Sequence, residues 1–181
     1  MWFQYAVLGL LLLLFLALRA YQVPKAITLW LLFSACAEAF CLFLVQGGWY
    51  SYPIRPLPEI FRDNVLFNWV QYPLVVLIML RFVRPTWFQN LMLGMTAAMY
   101  ALLLEMLAKD HFGLIKYETW SPLASYFTWW GSLLFSLLVY RSLNRVRFAR
   151  GAELGAFAFL RPGWFLFHLS MLSVFFYFLA Q

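Results

Sequence analysis

Two glutamates, Glu38 and Glu105, stand inside long apolar stretches of this chain. An ionised acid near the centre of a bilayer costs at least about 2.5 kcal/mol on insertion scales, unless it is paired, neutral or in use. Two carboxylates in a poorly solvated place raise each other's proton affinity, or hold a cation or an amine. Amides and hydroxyls recur near them at helical spacing: Ser34 and Cys41 around Glu38; Asn64, Asn68 and Gln71; and Ser125, Thr128 and Ser132 beside Tyr126, Trp129 and Trp130. Gly94, Ala98, Ala101 and Glu105 share one helical face, so small residues invite a neighbouring helix on the side where the acid points. These stripes predict a polar, aromatic-walled cavity. Its ligand-binding candidates are Glu38, Asn68, Gln71, Glu105, Tyr117, Trp120, Tyr126, Thr128 and Trp129. The competing explanation for the amides and hydroxyls is plain interhelical hydrogen bonding, at about 0.6 kcal/mol per bond in measured bundles.

The elements that must position these residues follow from composition. The chain has 181 residues, of which 65% are hydrophobic and 11% charged, with a mean hydropathy of +0.79. A soluble domain is nearer half apolar and a quarter charged, so the solvent for this excess is lipid. The expected fold is all-α: a polytopic membrane bundle in a single domain, residues 1–181, with six spans. Those spans are Trp2 to Ala20, Ala26 to Gln46, Asn64 to Val83, Trp87 to Ala108, Pro122 to Tyr140 and Gly163 to Gln181. Pro73 falls inside the third and predicts a kink there. The proline-rich loop Gly47 to Asp63 is expected to resist helix and β-ladder alike.

Basic residues set the orientation. Arg19, Lys25, Arg81, Arg84, Arg141, Arg145, Arg147, Arg150 and Arg161 fall on one side, against Arg55, Arg62, Lys109 and Lys116 on the other. The richer side is cytoplasmic, which puts both termini and most polar stripes outside. The net charge of +6 then reflects topology and gives no reason to expect a nucleic-acid partner. The Arg141–Arg161 loop is expected to meet anionic lipid or a membrane-protein partner. No basic segment precedes the first apolar stretch, so no cleaved leader is expected.

Catalytic and metal patterns are missing from the sequence. Cys36 and Cys41 lack metal or disulfide spacing, and His168 lies far from the carboxylates. There is no Gly-x-Ser-x-Gly and no phosphate loop, so neither a cofactor nor a catalytic residue is assigned.

The run Glu105, then Gly113-Leu114-Ile115-Lys116-Tyr117-Glu118-Thr119-Trp120, resembles a family of small, uncharacterised multi-pass membrane proteins from spore-forming bacteria. An acid at a helix end, then Gly-x-Ile-x-Tyr and a Trp three residues later, carries the likeness. Leu57-Pro58 and Tyr72-Pro73 are similar too. Elsewhere the likeness extends only to hydropathy, and Glu38 stands where the family has Asn-like residues. The resemblance implies a six-helix-like fold in a bacterial cytoplasmic membrane, with Glu105, Tyr117 and Trp120 as site residues. It implies no activity. The functions left open are a binding or transport component for a small cationic or amphipathic ligand, a structural or assembly subunit, and an intramembrane lipid-modifying enzyme.

Overall fold

The computed structural model describes residues 2–84 and 86–145, together with Ser173. Within these, five α helices follow the apolar runs: α1 (Trp2–Ala17), α2 (Ala26–Gln46), α3 (Tyr72–Leu80), α4 (Trp87–Asp110) and α5 (Pro122–Asn144). Three of them, α2, α4 and α5, are long and apolar enough to cross a membrane. That is the coarse form of the expected architecture.

Six spans are not reached. With 16 residues, α1 rises about 24 Å, short of a hydrocarbon layer of about 30 Å. The third predicted segment is also shorter than expected, its apolar helical part running Phe67–Leu80. The sixth, Gly163 to Gln181, and the loop from Val146 to Arg161 lie outside the described residues, except for Ser173. His168 and the basic residues Arg147, Arg150 and Arg161 lie outside them as well.

A second departure is a short sheet. Tyr50–Ser51 (β1) pairs antiparallel with Lys116–Tyr117 (β2), in the register Tyr50↔Tyr117 and Ser51↔Lys116. The prolines of the loop begin only at Pro53, so Tyr50 and Ser51 ahead of it keep their N–H groups and can join a ladder. Beyond β1 the loop is tied to itself by Arg55. Its guanidinium donates to the carbonyls of Tyr52 (2.6 Å), Phe61 (2.7 Å) and Pro58 (3.3 Å). This fold-back delivers Asp63 and Asn64 to the start of the next helix.

The chain divides into two compact units, residues 1–81 with 103–121, and residues 82–102 with 122–181. In the first, α1, α2 and α3 pack together around Leu29, Phe33, Leu74 and Leu77, which are buried. Phe112, in the turn after α4, stacks on Phe3 with ring centroids 4.1 Å apart. Gly113 makes that turn at a φ of +59°, and the N–H of Leu114 returns to the carbonyl of Ala108. In the second unit, a Cβ at Gly94 would lie 3.4 Å from the Leu134 side chain and 3.5 Å from Trp130. The small face of α4 is therefore a packing face, with Ala98 and Ala101 buried along it. Asn90 caps the start of α4 by taking the N–H of Arg84 and donating to the carbonyls of Arg84 and Thr86.

Candidate functional site

Pro73 organises the first unit. A residue in an α helix donates its N–H to the carbonyl four places back, and proline has none to give. The carbonyl so orphaned is that of Trp69. It instead accepts from the indole N–H of Trp30 (3.0 Å) and the hydroxyl of Ser34 (3.3 Å), both on α2. The turn just before, Phe67–Gln71, widens to a π-helical turn, with the N–H of Tyr72 reaching the carbonyl of Phe67. The expected kink is thus a local widening of the helix. A π-helical turn holds more residues than an α turn, so the side chains on it are re-aimed.

The predicted polar stripe is split as a result. Asn64 is the N-cap, its Oδ1 accepting from the N–H of Phe67 and from Gln4 Nε2 at 2.7 Å. Gln71 donates to the carbonyl of Gln4 at 2.8 Å. Both therefore bind α1. Asn68, between them in sequence, turns to α2. Its Nδ2 donates to Glu38 Oε2 at 3.0 Å and to Asp63 Oδ2 at 2.6 Å. Asn68 and Asp63 are fully buried and Glu38 is half-buried. One amide nitrogen thus gathers the carboxyls of Glu38 and Asp63 around it.

The next turn of α2 carries Cys41, which closes a ring of three hydrogen bonds. The thiol donates to Tyr52 Oη (3.4 Å), Tyr52 donates to Tyr50 Oη (3.4 Å), and Tyr50 donates back to Cys41 Sγ (3.8 Å). Burial pushes both phenols above the ordinary tyrosine range. The neighbouring Cys41 raises Tyr50 further, and so does the charge of Glu105. Tyr50 is thereby the link between the Glu38 side of the unit and the Glu105 side.

On that second side Tyr117 donates to Glu105 Oε1 at 2.6 Å, a short charge-assisted bond. Trp120 lies with its ring 6.0 Å from those of Trp49 and Tyr50. The Lys109 ammonium stands 5.5 Å over the Tyr117 ring. At the exposed rim Glu118 accepts from Ser51 and Lys116. The Lys116 ammonium holds the Glu118 carboxyl below its usual range.

Six of the nine predicted site residues therefore belong to the first unit: Glu38, Asn68, Gln71, Glu105, Tyr117 and Trp120. Gln71 is taken up by α1. Tyr126, Thr128 and Trp129 belong to the second unit, where Tyr126 and Trp129 are buried. Asp63, Tyr50 and Tyr52 went unpredicted as site residues, because they sit in loop sequence where helical spacing says nothing. The one available signal was that they flank a proline-rich segment next to an acid in an apolar helix. Both cysteines are free thiols. Among the described residues no three His, Cys, Asp or Glu side chains are grouped as a metal ligand set.

No protein-family model, no curated protein and no solved structure matches this chain.

Proposed function

We propose that this is a multi-pass protein of the bacterial cytoplasmic membrane that binds a small organic cation or cationic amphiphile, as a binding or transport component. One observation carries the reading: the Glu105 carboxylate, bonded to Tyr117, lies at the same end of the first unit as the rings of Trp49, Tyr50 and Trp120. An acid beside electron-rich ring faces suits a poorly hydrated cation, by charge and by cation–π attraction. The chain's own Lys109 already makes such a contact with Tyr117. In this reading the site faces outward, membrane lipid surrounds the helices, and a protein partner docks at Arg141–Arg161.

The test is a tryptophan-fluorescence titration of the purified protein with an alkyltrimethylammonium salt. Saturable binding that weakens about tenfold in Glu105→Gln, the loss of one carboxylate–cation contact, is expected. Equal affinity in the two proteins, or none in either, would remove the reading.

A structural or assembly role is the second reading. It is favoured by Gln4, Asn64 and Gln71, whose polar groups go into bonds between helices. It expects no ligand, and loss of stability when Gln71 is replaced.

A further inference from the structure

We propose that Glu38, Asp63 and Asn68 form a binding site for one small monovalent cation, an alkali-metal ion or a proton, held by carboxylate and amide oxygens. The geometry begins with Asn68. Its Nδ2 serves both carboxyls, 3.0 Å from Glu38 Oε2 and 2.6 Å from Asp63 Oδ2. An amide nitrogen has two hydrogens, so its donors are then used. What remains on the buried side is oxygen. Asp63 Oδ1 and Asn68 Oδ1 are both inaccessible and neither has a hydrogen-bond donor among the described residues. Asp63 and Asn68 themselves are fully buried.

The charge does not balance either. The ion pairs of Lys109 with Asp110 and of Lys116 with Glu118 do not touch this cluster. Among the described residues, the titratable groups around it are Cys41 on α2, Tyr52 and Tyr50 from the loop, and Glu105 beyond Tyr50. None of these is basic. Two carboxyls gathered on one amide nitrogen, in a low dielectric and with no basic side chain paired to them among the described residues, repel strongly. One added positive charge removes that repulsion and satisfies the leftover acceptors at the same time. An oxygen-only donor set suits a hard cation, whereas soft transition metals favour sulfur and imidazole. A proton shared by the two carboxyls answers the same deficit.

This inference is independent of the organic-cation reading, since neither Trp120 nor a carboxylate–ring contact enters it. It is tested on the full chain in lipid nanodiscs with no organic ligand present. The thermal unfolding midpoint is measured in sodium chloride against N-methylglucamine chloride at equal ionic strength, from pH 5.5 to 8.5. An alkali-ion site predicts a sodium-dependent rise of roughly 5 °C at a hundredfold excess over Kd. A proton site predicts no sodium effect, with a midpoint that falls as pH rises, because the fold binds the proton more tightly than the unfolded chain does. Either response must vanish in Asp63→Asn. Glu38→Gln, at a half-exposed position, serves as the second variant if Asp63→Asn does not fold. A wild type indifferent to both sodium and pH, or a response unchanged in the variants, overturns the proposal.

Discussion

The indole N–H of Trp30 donates to the main-chain carbonyl of Trp69 at 3.0 Å, taking the bond that Pro73 cannot make. In water an orphaned carbonyl would find solvent. In a helix packed against its neighbours it must find protein, and α2 supplies Trp30 and Ser34 for the purpose.

Replacing both donors, Trp30→Phe with Ser34→Ala, should therefore destabilise the fold by about 1–3 kcal/mol, the cost of leaving a helix carbonyl without a donor. The measurement is unfolding in mixed micelles by titration with a denaturing detergent. In a Pro73→Ala background the restored N–H offers the Trp69 carbonyl a partner, and the same pair of changes should cost clearly less. Equal costs in both backgrounds would show that Pro73 is not the cause of the α2 contact.

Gly94 gives a size test of the α4–α5 packing. An added Cβ meets Leu134 and Trp130 at ordinary contact distance, 3.4 and 3.5 Å. Gly94→Ala should be tolerated, and relief of backbone entropy could return up to about 1 kcal/mol. Gly94→Leu has no such room and should unfold at lower denaturant, with a shifted Trp130 emission. If Ala and Leu behave alike, the close approach is not what the glycine serves.

The phenols of Tyr50 and Tyr52 should stay protonated after ordinary tyrosines ionise, near pH 10. Their folded values lie above the unfolded one. The stability they contribute is complete below pH 10 and is lost as pH rises through the higher folded values. Phenolate absorbance followed during an alkaline titration should therefore show a late step, coincident with unfolding. Tyr52→Phe should shrink that step. A titration of all tyrosines in one early phase would contradict the buried ring of Cys41, Tyr50 and Tyr52.

Much of the site was legible in helical spacing. Ser34, Glu38 and Cys41 do share a face of α2, and each meets the loop or helix that faces it. The small face of α4 is buried, as its spacing required. Spacing failed at Asn64, Asn68 and Gln71 because it assumes a uniform 3.6-residue turn. A π turn breaks that assumption, and the three side chains go to two different helices. It also failed for Asp63 and Tyr52, whose positions depend on Arg55 folding the loop back onto its own carbonyls.

The amino-acid sequence alone determined an apolar helical chain, the acids that such a chain could not carry idly, and the proline that would disturb its third helix. Each of these is local chemistry: hydropathy, charge and a missing N–H. Only tertiary structure decided that Glu38 would share the amide of Asn68 with Asp63, a residue 25 positions away in a loop. It also decided that Tyr117, paired with Tyr50, would reach back to Glu105. Those pairings depend on where the chain turns, and the turns are held by long-range hydrogen bonds that no periodicity records.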